Sequence, residues 1–449
     1  MYDLIVIGGG PGGYEAAAHA GRMGKKVALI EERRLGGTCL HEGCIPTKAL
    51  LKSSKLFAEC RNAARYGIRL SNLGFDLAAV QERKTRIVST LTRGVEGLMK
   101  RSGVTVIQGR GRIAARNAVR VNGATEQARN ILVATGSRPA VPAIPGIDSP
   151  RVLDSTSVLE LNEVPKRLAI IGAGYIGMEF ASFFAEVGAE VTVFDILPEV
   201  SAAADRDVAK RLAEAVVRSG VEFELPAKIT RIDGGTLHYE DKEGQPKTLA
   251  ADYVLNATGR EPVVEDAGLN EAGVDYDASG IRTSELGKTN VPGIWACGDV
   301  TGRMLLAHAA TREGIVAVNN MFGIKDRIRY DAIPAVIYTH PEVASAGRTE
   351  EELRRQGIEY VKSVVPMGIA GRFLIDHEGG SGFVKALAGA RYGNLLGVHA
   401  IGDGASEFIF GAASMIETEM RVSDVRELVF PHPTVSEALK EAILQAARE

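Results

Sequence analysis

Four cysteines in 449 residues are too few for a disulfide-stapled secreted scaffold, so a pair that matters must be close in sequence and chemical in purpose. Only Cys39 and Cys44 are that close. Aromatic residues make up 6% of the chain, with a single tryptophan. Apolar runs such as residues 4–7 and 168–171 stop at glycine long before the ~20 residues a membrane helix requires. Charge of one sign is lacking too: 53 basic against 56 acidic side chains give −3, which excludes a strongly basic nucleic-acid binder and a highly acidic disordered chain. The first strand opens within three residues of Met1, leaving no visible leader, and a cytoplasmic location is expected. What is plentiful is glycine, 51 residues or roughly 11% against an ordinary ~7%. At roughly 150 residues per domain, the length suggests about three domains.

An internal repeat accounts for part of that glycine. Residues 4–7 form an apolar run that breaks into Gly8-Gly9-Gly10-Pro11-Gly12-Gly13, followed by small residues at helical spacing and a second apolar run, 27–30, closed by Glu31. This spells strand, tight loop, helix, strand. The same order returns at 168–171, Gly172-Ala173-Gly174-Tyr175-Ile176-Gly177, a helix to Glu186, and 191–194 closed by Asp195. Adding 164 to Gly8, Gly10, Gly13, Gly24 and Glu31 gives Gly172, Gly174, Gly177, Gly188 and Asp195 without a gap. A lone G-x-G-x-x-G is weak evidence; a duplicated one with strand, helix and terminal acid in place is strong. The first glycine permits the turn, the second lets the backbone approach a pyrophosphate, and the third lets helix and strand pack, so that the helix N-terminus meets the anion. Each acid lies 23 residues after the first glycine, where it can accept hydrogen bonds from a ribose diol and would repel a 2′-phosphate. Residues 196–200 contain no arginine, which favours NAD over NADP at the second copy. The plainer alternative is a stabilising acid at each strand end.

Cys39 and Cys44 follow the first unit in Gly36-Gly37-Thr38-Cys39-Leu40-His41-Glu42-Gly43-Cys44-Ile45-Pro46-Thr47-Lys48. Five residues of ideal helix would hold their Cα atoms beyond the usual disulfide range of about 4.4–6.8 Å, so a bond needs a distorted turn, which Gly43 could supply. Two reduced core cysteines are the bland alternative. Beside a flavin, however, a close dithiol can pass two electrons to or from a soluble thiol, because a thiolate is both nucleophile and electron donor. Cys60 and Cys297 have no such context and read as packing residues.

With that cysteine motif and the two glycine loops, the chain resembles the pyridine nucleotide–disulfide oxidoreductases over nearly all its length, most closely their dihydrolipoyl-oxidising branch. The resemblance implies an α/β fold of two Rossmann-like dinucleotide-binding domains, the glutathione-reductase-like FAD/NAD fold, plus a C-terminal α+β dimer-interface domain. The division it implies is 1–142 (FAD, first part), 143–259 (NAD), 260–330 (FAD, second part) and 331–449 (interface). It places FAD on Gly8, Gly10, Gly13 and Glu31, and NAD on Gly172, Gly174, Gly177 and Asp195. Cys39 becomes the interchange thiol, Cys44 the thiol against the flavin, and Lys48 a residue near the ring that pairs with Glu179. Glu15 holds the place of Glu179 in the first copy, so solvated charges are the alternative. Ala134-Thr135-Gly136 and Ala257-Thr258-Gly259 resemble the crossings between the nucleotide domains. Asp299 resembles the residue that binds the flavin's ribityl chain, and Ala307 lies in a segment like the one that touches the isoalloxazine. Tyr175 resembles the aromatic gate over the nicotinamide pocket, though a buried structural tyrosine reads equally well.

Near the C-terminus, His432-Pro433-Thr434-Val435-Ser436-Glu437 resembles the family's histidine–glutamate element, in which His432 takes a proton from the incoming thiol and Glu437 orients its ring. Thr434 to Glu437 also spells a helix capping box that competes for the carboxylate. The resemblance implies a homodimer with shared active sites, and residues 333–347 are similar to the start of the interface domain. Electrons are expected to pass from a dihydrolipoyl group through Cys39, Cys44 and FAD to NAD. The lipoyl group is expected on another chain, a 2-oxo acid dehydrogenase acyltransferase subunit or a glycine-cleavage carrier, with no metal, nucleic acid or membrane involved. Glutathione reductases normally use NADPH, mercuric reductases carry a C-terminal cysteine pair where 446–449 have none, and a non-catalytic redox sensor has no need of His432 and Glu437. Two departures from the family pattern, His41-Glu42 between the cysteines and Phe430-Pro431 before His432, bear on substrate preference.

Overall fold

A computed structural model describes residues 1–447; Arg448 and Glu449, the end of the cysteine-free C-terminal segment, lie outside the described residues. The first sheet grows from Tyr2–Ile7, whose inner residues are buried on both faces, paired in parallel with Val27–Glu31 and Ala124–Val133. Such runs belong in a parallel sheet covered on both sides. Thr105–Gln108 extends one side, Ala118–Val121 and Arg112–Ala115 the other, and Ile294–Ala296, from far downstream, pairs with Ala124–Val133. Helix α1 (Pro11–Arg22) covers this sheet with buried alanines. It crosses the helix Ala307–Met321 so closely that a Cβ on Gly314 would sit 2.6 Å from the Gly12 carbonyl oxygen.

The segment between the sheets carries α2 (Gly37–Glu42), α3 (Cys44–Arg61) and α4 (Leu77–Arg101). The second sheet repeats the first in smaller form, in the order Val221–Glu224, Glu190–Phe194, Arg167–Ile171, Tyr253–Asn256, Val152–Leu153. Helix α5 (Tyr175–Glu186) lies on it, buried along nearly its whole length because α3 packs over its outer side. Where the chain passes between the two sheets, Ser137–Pro139 pairs antiparallel with Arg260–Pro262, so the outgoing and returning segments run side by side.

The C-terminal unit is a five-stranded antiparallel sheet in the order Ala335–Ile337, Val343–Gly347, Leu395–Ile401, Phe383–Gly389, Tyr360–Pro366. The helices Ala405–Glu417 and Ser436–Gln445 pack against it around a core that includes Phe373, Ile409 and Ile443. Fully buried Lys385 ties this sheet to the unit built on the second sheet, reaching Asp205 at 2.8 Å, Asp207 at 2.7 Å and Glu350 at 2.6 Å. No helix among the described residues is long and apolar enough to cross a membrane.

Candidate active site

The two glycine loops have the same local physics. A Cβ on Gly8 would meet the Ala134 carbonyl oxygen at 2.2 Å, and one on Gly13 the Gly8 oxygen at 1.9 Å. At Gly172 and Gly177 the corresponding approaches are 2.3 Å to Ala257 O and 1.9 Å to Gly172 O. These four glycines are therefore required by backbone packing. The middle glycines are not: a Cβ on Gly10 has only Gly37 Cα, at 4.0 Å, and one on Gly174 has nothing within 4 Å. The space in front of them is open. Each terminal acid holds its own loop, since Glu31 accepts from Gly9 N (2.6 Å) and Arg33 N (2.7 Å), and Asp195 from Ala173 N (2.7 Å) and Leu197 N (2.9 Å). These bonds give substance to the stabilising role that the sequence offered as the plainer alternative to ribose binding.

A cavity of about 680 Å³ opens in front of the first loop; Glu31, Cys39, Cys44, Lys48, Thr135, Gly136, Tyr175, Glu179, Asp299 and Ala307 line it. Gly13 is buried beneath it, whereas Gly172, Gly174, Gly177, Asp195 and Gly259 are not among its lining residues. Cys39 sits in α2 and Cys44 opens α3, with Gly43 (φ −150°, ψ −111°) breaking the helix between them. A Cβ on Gly43 would approach Thr38 O tightly, at 3.2 Å, and meet Cys39 Cα at an ordinary contact distance of 3.6 Å. Both cysteines are free thiols here, and they are not equivalent. The hydrogen bond with Cys39 lowers the pKa of Cys44 and, helped by Lys48, outweighs burial to bring it down to about 7. The same hydrogen bond, together with burial, pushes the Cys39 thiol up, so Cys39 keeps its proton and Cys44 gives up its own.

Lys48 contacts both carboxylate oxygens of Glu179, at 2.8 and 2.9 Å, and stands 4.8 Å from the centre of the Tyr338 ring. Burial works against its ammonium, but Glu179, then Cys44 and Tyr338, raise its pKa above the ordinary value. Asp299 accepts from Ser137 Oγ at 2.5 Å, and Arg260 donates to the same Oγ and to the Ser137 carbonyl oxygen, both at 2.8 Å. His432 lies outside the cavity, its side chain 78% exposed, with Nδ1 2.9 Å from Glu437 Oε1. The other oxygen of Glu437 accepts from Thr434 N at 3.1 Å, and the two contacts hold its carboxyl below the usual range, His432 contributing most. The capping box forms only by half. Thr434 Oγ1 turns to Pro431 O and to Ser436, and Val435 is the residue before the helix.

A family model described as pyridine nucleotide-disulphide oxidoreductase matches residues 2–314, and that family's dimerisation domain matches 333–443. The chain belongs to the pyridine nucleotide-disulphide oxidoreductases. It is 42% identical to dihydrolipoyl dehydrogenase 3 of Pseudomonas aeruginosa, covering 99% of this chain and 97% of that one, and 39% identical to mitochondrial dihydrolipoyl dehydrogenase of Pisum sativum (98% and 91%). Among solved structures, the HOCl-induced flavoprotein disulfide reductase RclA from Escherichia coli superposes with a TM-score of 0.87 at 27% identity, covering 99% of this chain and all of that one. LpdA from Mycobacterium tuberculosis, at 24% identity and a TM-score of 0.91 over 99% of both chains, shares the fold.

FAD and NAD are the cofactors of this oxidoreductase family. The site fits them physically: the cavity lies within the range of about 300–1,000 Å³ typical of ligand pockets, and the spaces before Gly10 and Gly174 stay open where a side chain would intrude on a ligand. Three site residues escape sequence reasoning. Ser137 and Arg260 directly follow Gly136 and Gly259, a placement that could have flagged them. Glu313 carried no signal, since its helix reads as ordinary apolar periodicity. It is buried, accepts from Gly298 N (2.6 Å) and Tyr330 OH (2.8 Å), and braces the turn that presents Asp299; burial raises its pKa.

Proposed function

We propose that this flavoprotein oxidises dihydrolipoyl groups and reduces NAD, and the observation that carries the proposal is the unequal thiol pair beside Lys48–Glu179. FAD, when bound, supplies the two-electron relay between dithiol and nicotinamide. The residues to hold it are Gly8, Gly10, Gly13, Glu31, Lys48, Thr135, Gly136, Asp299 and Ala307; those for NAD are Gly172, Gly174, Tyr175, Gly177, Glu179, Asp195 and Gly259. The domain division at 142, 259 and 330 is kept as part of the same reading.

The thiol chemistry starts from a Cys39–Cys44 disulfide. His432, with Nδ1 directed to Glu437, keeps Nε2 free to accept the proton of one dihydrolipoyl thiol. The resulting thiolate attacks the Cys39 sulfur and Cys44 leaves as thiolate, stabilised by its hydrogen bond to Cys39 and by Lys48 once the exchange is complete. The second substrate thiol then displaces Cys39 from the mixed disulfide, its proton ending on Cys39. The product is a cyclic disulfide, and the enzyme holds one thiol, one thiolate and an imidazolium. His432 is exposed and apart from the cavity, so its dithiol is read as that of a second copy. The dimerisation domain contains it, and exposed Phe410 (74%) and Val429 (94%) on the same unit suit an apolar interface.

The lipoyl group is assigned to another chain, a 2-oxo acid dehydrogenase acyltransferase subunit or a glycine-cleavage carrier, with the reaction taking place in the cytoplasm. Support for the dihydrolipoyl substrate over an RclA-like disulfide reduction comes from relatives at 39–42% identity against 27%. Steady-state assays with dihydrolipoamide or glutathione and with NAD or NADP test the proposal. NADH formed from dihydrolipoamide is expected; its absence in flavin-loaded enzyme sinks the proposal.

A further inference from the structure

Helix α5 carries a polar stripe at Glu179, Ser182 and Glu186, one face at i, i+3 and i+7, with each residue 7% exposed or less. Buried carboxylates need cations or several donors. Glu179 has Lys48. Seven residues on, both helices repeat the pattern with Lys55 and Glu186, but the second pair does not meet. Lys55 reaches Asp403 at 2.7 Å and Glu342 at 4.0 Å. Glu186 accepts from Ser54 Oγ at 2.5 Å and is met by His340 Nδ1 at 2.9 Å. The second ring nitrogen of His340 lies 3.4 Å from Asp403, whose same oxygen is 3.1 Å from His377 Nδ1. The charged or titratable groups facing His340 are thus Glu186 of α5 and Asp403, with Lys55 of α3 and the His377 ring sharing Asp403 and Glu342 sharing Lys55. Among the described residues, His340 is the only cationic side chain paired with Glu186.

The backbone around His340 grips the same stripe. His340 N donates to Ser182 Oγ at 3.3 Å, and Tyr338 N to Glu179 Oε1 at 3.0 Å, while the Tyr338 ring faces the Lys48 ammonium. A three-residue loop of the C-terminal unit therefore touches both ends of the stripe that fixes Lys48.

We propose that His340 is a positioning residue for the Cys44 thiolate: by docking the 338–340 loop onto α5, it holds Glu179, and through it Lys48, in place. The inference rests on Cys44 being the thiolate of the redox pair. As an imidazolium His340 donates to Glu186 and Asp403 at once, whereas a neutral ring can donate to only one. Burial opposes the charge, but the hydrogen bonds to Asp403 and Glu186 prevail and raise its pKa to about 9, so it stays cationic at neutral pH.

The test is the pH titration of the long-wavelength thiolate-to-flavin absorbance of holoenzyme reduced with one equivalent of dithionite. It needs neither NAD nor a lipoyl substrate, so failure of the dihydrolipoyl reading leaves it unaffected. His340→Gln should raise the Cys44 midpoint by about one pH unit, a tenfold loss of thiolate preference. Glu186→Gln/His340→Gln, which removes the buried carboxylate together with its cation, should bring it back to the parental value. Ser182→Ala, a milder loss of the same docking, should move the midpoint the same way by about half a unit, or threefold. A purely structural role would lower the melting temperature and leave the midpoint unmoved. A parental midpoint in H340Q overturns the proposal, and so does one in S182A should H340Q fail to accumulate.

Discussion

Gly174→Ala separates a glycine kept for a ligand from one kept for the fold. Gly174 has φ −75° and ψ −173°, which any residue adopts, and a Cβ there touches nothing within 4 Å. Alanine is a poorer N-cap than glycine by roughly 0.5–1 kcal/mol, and the reduced entropy of the unfolded chain offsets about 0.4–1 kcal/mol. The melting temperature should therefore move by no more than about 2 °C. On the proposed reading, NAD seated over the loop would meet the new methyl group directly. Lifting its pyrophosphate from one backbone amide forfeits a charge-assisted hydrogen bond of about 1.5–3 kcal/mol, which weakens binding by roughly ten- to a hundredfold. Gly177→Ala is the comparison. Its Cβ would sit 1.9 Å from Gly172 O, so α5 must retreat by more than 1 Å, carrying Glu179 away from Lys48. That overpacking costs about 1–3 kcal/mol. NADH titration and thermal melts of the two variants decide the matter. A G174A protein that melts like G177A, or that binds NADH as tightly as the parent, refutes the reasoning.

Two further outcomes follow from the buried and exposed charges. Glu437→Gln has a single acceptor oxygen, so it cannot accept from both His432 Nδ1 and Thr434 N, and an amide that donates to Nδ1 instead leaves the ring proton on Nε2, the atom that must accept the thiol proton. The kcat for dihydrolipoamide should fall by about ten- to a hundredfold with an unchanged melt, and parental kcat would remove Glu437 from the mechanism. Lys385→Met leaves Asp205 and Glu350 buried without their shared cation, a loss of about 3–5 kcal/mol at neutral pH. In the parent, burial disfavours the Glu350 carboxylate, but hydrogen bonds from Lys385, Tyr360 and Lys362 hold its pKa down to about 2. Its stabilisation is thus full above the ordinary 4.5 and lost as pH falls towards 2, so urea melts of parent and variant should converge in acid; a constant gap between pH 7 and 3 would contradict this.

The nucleotide loops were legible because their requirements are local. Gly8 and Gly13 touch each other across five residues, and the contact recurs unchanged at Gly172 and Gly177. The histidine–glutamate element was legible for the same reason, although which oxygen of Glu437 serves which partner depends on Thr434 turning its hydroxyl towards Pro431. What stayed hidden is assembled from distant pieces. Asp299, Ser137 and Arg260 form one hydrogen-bonded group across more than a hundred residues, and Glu313 looks like any helical glutamate until Gly298 N is found against it. The stripe on α5 was half visible: Glu179 was singled out, whereas Glu186 waits on a histidine more than a hundred and fifty residues away.

The ribbon of Ser137–Pro139 against Arg260–Pro262 also bears on the order in which the molecule can form. Because both ends of the second nucleotide unit emerge on neighbouring strands, the first sheet sees that unit as a short loop, and the entropy of enclosing it is small. Yet the strand Ile294–Ala296, which finishes the first sheet, is made only after the whole inserted unit. On a ribosome the guest has all its sheet strands by Asn256, while its host still lacks one. The first 133 residues of the chain must therefore wait, one strand short, for a unit that begins after them and is complete before them.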